Sequence, residues 1–320
     1  MLARTNSVAD ASSPMRSPLT GGEASFVRTI PVSRLIDAWL RTYRIDITDE
    51  LGGLVEVSAY RCNATGLIFF RPVTIAGSPQ LYRQLQAATA YYSELKWEHR
   101  MALKDLRGAR RMLEIGCGSG SFIGAARKAG IDAAGIEVNP EAVTQAQRQG
   151  LPVQLRDLAS VAREDAGRFD AVCAFQVLEH VSDPGAFLTD CLRLVKPDGT
   201  VIVSVPNSRG FLRYYDEILD LPPHHMSQWS RETFQAIETH LNVRLVRCLS
   251  EPLAENHVDV CVNAYGQWLR SRGALGAMLA NRYFARVARA LLRGGCRRFV
   301  RGHTLYSKLV KTCSPAVKYS

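Results

Sequence analysis

The 320-residue sequence contains no run of about 18 apolar residues, which excludes a helix able to span a bilayer. It opens on Ser, Pro, Ala and Gly without an apolar h-region, so no secretory signal is expected. Cysteine occurs at 62, 117, 173, 191, 248, 261, 296 and 313, yet no two form a C-x-x-C pair and none has the His-rich spacing of a zinc site. Several lie in apolar runs such as Val172-Cys173-Ala174 and Val260-Cys261-Val262, where a thiol behaves as a small buried hydrophobe. Structural cysteines in a reducing, cytoplasmic compartment are the expectation. Acidic residues are missing altogether from Gly266 to Ser320, where twelve Lys/Arg stand. The net charge of +10 therefore belongs to that stretch, since residues 1–265 carry 28 basic against 30 acidic side chains. A basic surface over the whole protein is excluded.

A hydrophobic content of 47% and a length for one large or two ordinary domains leave ample material for a core. No internal repeat is present. Residues 1–25 read as a disordered leader and 26–108 as an N-terminal extension. In that extension Leu35–Leu40 reads as a short helix, and Val55–Tyr60 and Gly66–Phe70 as antiparallel strands. Pro79–Leu106 has a helical pattern that stops at Arg107-Gly108. Residues 109–265 alternate strands and helices, the pattern of a parallel sheet covered on both faces. The strands are Arg111–Ile115, Ala133–Ile136, Val153–Leu155, Phe169–Phe175 and Thr200–Val205; the helices are Ser121–Ala129, Pro140–Arg148 and Pro184–Val195. Val243–Leu249 and His257–Val262 read as an antiparallel edge hairpin. Residues 266–320 read as a basic helical tail, with Arg282, Arg286, Arg289 and Arg293 at helical spacing opposite Leu279, Tyr283, Val287 and Leu291.

The most informative stretch is Leu113-Glu114-Ile115-Gly116-Cys117-Gly118-Ser119-Gly120, where a strand passes into a helix through glycines spaced G-x-G-x-G. Glycines here let the backbone turn sharply and approach a ligand. A dinucleotide fold would show G-x-G-x-x-G and place a pyrophosphate on the helix N-terminus. Here the third glycine comes one residue early, and Glu114 would repel a pyrophosphate while suiting an ammonium group. Glu137 ends the second strand, where a carboxylate can accept from both ribose hydroxyls. Asp157 follows the third strand and can accept from an adenine amino group while Leu158 lines the base. In open parallel sheets ligands bind outside the carboxyl ends of the strands, where all three acids fall.

The runs LEIGCGSGSF, GIEVNP, LRDL, FQVLEHVSDP and LVKPDGTVIVSVPN resemble the successive motifs of class I S-adenosylmethionine-dependent methyltransferases. Within these the chain is similar to the ubiquinone-biosynthesis-like branch (methyltransferase domain 23 type), which pairs LEH with PN and a later PPHH-x-x-x-W. The motif-rich similarity covers about residues 109–240, and a looser one runs upstream through YRCNATGLIFFRP and YYSELKWEH. The resemblance implies a Rossmann-like α/β fold with a seven-stranded sheet whose last strand is antiparallel. It implies S-adenosyl-L-methionine contacts at Glu114, the loop Gly116-Cys117-Gly118 with Gly120, Glu137, Val138, Asp157, Leu158, Phe175 and Gln176. Relatives often carry a C-x-x-C zinc knuckle where this chain has Cys62-Asn63-Ala64-Thr65, so no zinc is placed there. They also can bind a divalent metal through Glu-x-x-Glu-His; Gln176 stands in the first of those positions as a neutral, weaker ligand, and no metal is assigned.

Methyl transfer from a sulfonium is an in-line displacement in which alignment alone can contribute about 7–11 kcal/mol. A base is needed where the nucleophile must lose a proton, and His suits that role near neutral pH. Glu179-His180 follows the fourth strand, and His224-His225 follows Pro222-Pro223 in the excursion after the fifth; these four are the candidate catalytic residues. Tyr91-Tyr92 and Lys96-Trp97-Glu98-His99 lie on the helix before the core, either as an aromatic cap or as packing. For the basic tail two readings stand: contact with an anionic membrane through residues 270–320, or an apolar stripe packed on the domain beneath solvated arginines. The fourth strand lacks the Asn/Asp-Pro-Pro-aromatic motif of base-amine methylases, which argues against a nucleic-acid partner. The expected activity is methylation, with O-methylation foremost, of a small-molecule or glycan acceptor. The competing class is a non-catalytic, cofactor-binding scaffold subunit.

Overall fold

The computed structural model describes residues 14–88, 95–214 and 218–312. Two sheets organise it. The first is antiparallel, in the order β1 (Ala24–Pro31), β2 (Glu56–Cys62), β3 (Ile68–Arg71) and β9 (Ser227–Gln228). Its fourth strand comes from the far side of the sequence, so the N-terminal extension is joined to the later excursion by backbone pairing. Helix α1 (Val32–Tyr43) buries Leu35 and Trp39 beneath this sheet.

The second sheet holds β4 (Arg111–Ile115), β5 (Asp132–Glu137), β6 (Val153–Leu155), β7 (Phe169–Phe175), β8 (Val195–Pro206), β10 (Val243–Pro252) and β11 (Arg301–Lys311). Their order is β10-β11-β8-β7-β4-β5-β6, and only β11 runs against its neighbours. Alternate side chains of the central strands feed two cores. Leu113, Ile115, Val172 and Ala174 enter one, packed by α6 (Leu158–Glu164) and α7 (Pro184–Leu194). Met112, Ala171, Cys173 and Phe175 enter the other, beneath α3 (Trp97–Asp105), α4 (Ser121–Lys128) and α5 (Pro140–Arg148). Burial on both faces is why these strands read as near-continuous apolar runs. Helix starts are written locally: Asn139 accepts from the Glu141 amide and Asp183 from the Ala186 amide, each with proline in the first turn.

Three expectations are corrected. The leader does not extend to residue 25: Ser17 and Gly22 close a turn, Pro18 accepts from the Gly185 amide, and Leu19 is buried in the main core. His257–Val262 is not a strand but the start of α9 (Val258–Arg270). Its Val-x-Val-x-Val alternation imitates a strand over five residues. Over a longer window Val258, Cys261, Val262 and Tyr265 share one helical face, which packs with Phe211 and Leu253. The partner of β10 is instead β11, more than forty residues later. Residues 301–311 are therefore no part of a helical tail. Their lysines are tied in, Lys308 at the Asp105 carbonyl (3.2 Å) and Lys311 at that of Val195 (3.1 Å). The region between β10 and β11 holds α9, α10 (Ala274–Leu279) and α11 (Arg282–Arg293).

Candidate active site

Beyond the carboxyl ends of β4, β5 and β7 lies a cavity of about 500 Å³, within the roughly 300–1,000 Å³ usual for small-ligand sites. One end is the glycine loop. Gly116, Gly118 and Gly120 all have left-handed backbones, with φ of 65°, 53° and 81°. A Cβ on Gly116 would stand 2.6 Å from Val177 Cγ2, and one on Gly120 2.7 Å from Leu151 Cδ1. Both conformation and space demand glycine. The Cys117 thiol packs over Gly135, where an added Cβ would meet its Sγ at 2.6 Å, so this cysteine borders the cavity chiefly as a packing residue.

Glu114, on β4, is only 3% exposed and one of its carboxylate oxygens has no hydrogen-bond partner among the described residues. Burial, and then the nearby charge of Glu137, push its carboxyl well above the usual range. Glu137, at the end of β5, accepts from the amides of Gly118 (2.8 Å), Val138 (2.8 Å) and Asn139 (3.0 Å). It locks the loop to the sheet while facing the cavity. Val138 forms an exposed rim. Phe175 closes the β7 end, with His99 and Phe122 edge-on at 4.8 Å each. Gln176 takes a left-handed backbone (φ 55°) and its side-chain amide donates to Ser204 Oγ at 3.3 Å.

The other end is built from histidines. Glu179 is 1% exposed, neither of its carboxylate oxygens has a hydrogen-bond partner among the described residues, and burial pushes its carboxyl well up. Its backbone carbonyl accepts from the Met226 and Ser227 amides, and the Pro223 carbonyl accepts from Gly77. With β9 paired on β3, these bonds stitch the His224-His225 loop to both the turn after β7 and the N-terminal sheet. The rings of His180, His224 and His225 stand 4.4–4.8 Å apart, centroid to centroid. His180 Nδ1 lies 2.7 Å from the His224 carbonyl and His224 Nδ1 2.8 Å from that of Leu219. A carbonyl can only accept, so both rings carry their proton on Nδ1. His225 Nδ1 faces Asp220 Oδ1 at 3.2 Å. Desolvation lowers all three imidazoles, His180 to about 4 and His224 to about 3, so they are neutral near pH 7.

Of the residues expected from the sequence, Glu114, Gly116, Cys117, Gly118, Glu137, Val138, Phe175, Gln176, Glu179, His180, His224 and His225 border this one cavity. Gly120 supports the loop from behind. Asp157 and Leu158 are not among the lining residues; Asp157 caps α6 by accepting from the Ser160 amide at 2.9 Å. Lys96 and His99 line the cavity, whereas Tyr91 and Tyr92 lie outside the described residues. Three contributors gave no signal in the sequence. Tyr82, on α2 (Pro79–Ala88), places its hydroxyl 3.0 Å from His180 Nδ1 and 3.2 Å from the His224 carbonyl. Asp220 orients His225, and His303 arrives on β11. None belongs to a motif, and each reaches the site only through long-range packing.

A family profile described as "Methyltransferase domain" matches residues 82–247, just over half of the chain. The chain is similar to a "Ubiquinone biosynthesis O-methyltransferase" of Methylococcus capsulatus, 38% identical over 104 residues, which is 31% of this chain and 44% of that one. A protein of the same description from Xanthomonas oryzae pv. oryzae is 37% identical over 109 residues, 32% of this chain and 45% of that one. The chain thus spans less than half the length of the relatives it matches. Among solved structures, an S-adenosylmethionine-dependent methyltransferase from Archaeoglobus fulgidus aligns over 67% of this chain and 94% of its own at 19% identity, TM-score 0.45. A putative one from Listeria monocytogenes aligns over 67% and 98% at 12% identity, TM-score 0.46. With a glycine loop closing β4, a sheet reversed only at β11 and a profile match running from Tyr82 to Arg247, the chain belongs to the methyltransferase-domain family.

Proposed function

We propose that the protein transfers a methyl group from S-adenosyl-L-methionine to a hydroxyl of a small molecule or glycan. The observation that carries this reading is the shared cavity, with a glycine-and-carboxylate end and a histidine end facing one space. The first end suits the donor. Glu114 offers a buried carboxylate oxygen lacking a partner among the described residues to an ammonium group, the glycine loop turns through three left-handed residues at the cavity's edge, and Glu137 presents a carboxylate at the end of β5. When bound, the donor supplies a methyl group activated by sulfonium charge.

The histidine end suits the acceptor. His180 holds its proton on Nδ1, so its Nε2 lone pair is the one available to take a hydroxyl proton. Glu179 Oε1, 3.9 Å from that Nε2, would stabilise the resulting imidazolium. Tyr82 keeps the ring from turning. The test is adenosylhomocysteine formation by purified protein, supplied with donor and an extract of its own cells. His180→Gln should abolish turnover and leave donor affinity intact; unchanged turnover would sink the assignment.

The second element of this reading is peripheral contact with an anionic membrane through α10 and α11. No helix among the described residues is long and apolar enough to cross a membrane. Arg289 and Arg293 pair at the surface with Asp259 of α9 at 2.7 Å. Leu275, Met278, Tyr283, Val287, Leu291 and Phe299 are left largely exposed, flanked by the exposed Arg282, Arg286 and Arg298. An apolar face edged with cations suits the boundary of anionic headgroups and acyl chains. Sedimentation with phosphatidylserine vesicles should be lost when Leu275, Met278, Val287 and Leu291 are replaced by Ser. No sedimentation of the unaltered chain removes this element.

A further inference from the structure

A second cavity, of about 290 Å³, borders the segment that carries His224 and His225. Leu219, His224 and His225 line the first cavity; Asp220 and Leu221 line the second. Its chemistry is different, for four arginines line it: Arg28 and Arg61 from the N-terminal sheet, Arg209 and Arg213 from the stretch after β8. Strand register places the first pair. The bulge at Val27 sets Arg28, where a regular strand would set Val27, opposite Ala59. Two residues along β2, and so on the same face, Arg61 stands opposite Ile68, which in turn faces Gln228. The second pair stands on a turn held by its own backbone. The Gly210 amide donates to the Asn207 carbonyl (2.8 Å), the Arg209 amide to Asn207 Oδ1 (3.0 Å) and the Ser208 amide to the Trp229 carbonyl (2.9 Å). All four arginines are exposed to solvent. The one acid lining this cavity among the described residues is Asp220, already engaged by Gln228 Nε2 at 2.9 Å and His225 Nδ1 at 3.2 Å. Glu232 lies 3.9 Å from Arg209, beyond hydrogen-bond reach. Like charges gathered in a cleft focus a field that draws an anion in, and guanidinium forks match phosphate oxygens two at a time.

We propose that this cavity binds a phosphoryl or diphosphate group through its arginines, Arg61 and Arg209 foremost, and that the group is part of the methyl acceptor. The volume, at the lower limit of about 300 Å³ for a small-ligand site, suits such a group rather than a whole drug-sized molecule. The two cavities share the turn Ile218–Asp220 as a wall. Leu219, bordering the first, takes the His224 proton on its carbonyl, while Asp220, bordering the second, orients His225. An acceptor anchored by its phosphoryl group therefore reaches over this turn to bring a hydroxyl to the histidine end. Hydroxyl and phosphoryl group are then separated by a spacer, which selects the class of sugar phosphates and nucleoside diphosphate sugars. The binding of the anion stands on the cavity alone; its being part of the acceptor rests on the methyl-transfer reading.

The test titrates the full chain with inorganic pyrophosphate alone, by calorimetry at low salt. One site per chain is expected, and Arg61→Gln and Arg209→Gln should each weaken it by about 10-fold or more. Adenosylhomocysteine binding, measured on both variants, reports that the chain is folded. No uptake by the unaltered chain, or uptake undiminished in both variants, overturns the site. In turnover with donor and cell extract, pyrophosphate should inhibit, and added extract should relieve the inhibition, which marks the anion as the acceptor's own. Inhibition that extract does not relieve, or none at all, overturns the acceptor assignment and leaves a site for a free anion. Absence of turnover with any extract overturns the methyl-transfer reading and the acceptor assignment with it, while the pyrophosphate titration still decides the site.

Discussion

Glu114→Gln separates the charge of the donor end from its shape. In the ligand-free chain Glu114 is sealed from water and lies near Glu137, so its carboxyl is held well above the usual range, by burial first and then by that charge. An ammonium group delivered to its partnerless oxygen supplies the missing countercharge and favours the ionised form. The sign follows. The ligand-free protein carries a proton that the complex releases, so affinity for adenosylhomocysteine rises with pH through the titration of Glu114 and levels off above it. Glutamine keeps the volume and an accepting oxygen but cannot ionise. A hydrogen bond to a charged group contributes about 1.5–3 kcal/mol, so the variant should bind about 10- to 150-fold more weakly. Calorimetry in two buffers of different ionisation enthalpy measures affinity and proton release together. Affinity within about twofold of the unaltered chain, or no proton release from it, would refute the reasoning.

Other perturbations probe the frame around the site. Gly116→Ala forces a side chain into a left-handed backbone at φ 65° with its Cβ 2.6 Å from Val177; a stability loss of about 1–2 kcal/mol for the backbone alone, with loss of adenosylhomocysteine binding, is expected in denaturant titrations. His99 and His303 are both desolvated and pushed down to about 4. The unfolded chain, titrating near 6.5, then binds more protons in between, so stability is complete above about pH 6.5 and falls towards about pH 4, by up to about 3 kcal/mol per group. Equal urea midpoints at about pH 7.5 and about pH 5 would contradict this. Ending the chain after Gly294 removes β11 from between β8 and β10 and should abolish cooperative unfolding; a truncated chain that still binds adenosylhomocysteine would disprove a structural role for that strand.

The donor end was legible because its constraints are local. A left-handed turn between a buried strand and a helix demands glycines at fixed spacing, and Glu114 is conspicuous as an acid inside an apolar run. Helices α5 and α7 were likewise announced by Asn139-Pro140 and Asp183-Pro184. The histidine end was legible only in part. His180 and the His224-His225 pair stood out as residue types, but their mutual contact depends on Met226 and Ser227 bonding back to the Glu179 carbonyl, 47 and 48 positions away. Tyr82 and Asp220, which orient two of the rings, had no motif to mark them.

The sequence by itself determined the alternation of strands and helices, the glycine loop and the identity of the chemical groups, because each is set by neighbours within a few residues. Tertiary structure alone decided that β11 is an interior strand rather than tail, that Arg289 and Arg293 of α11 pair with Asp259 of α9 while Tyr283, Val287 and Leu291 stay exposed, and that three histidines from two loops meet beside a buried glutamate. Those outcomes depend on which distant surface covers each segment. Residues 301–311 become a buried strand only because β8 and β10 offer edges on either side of them.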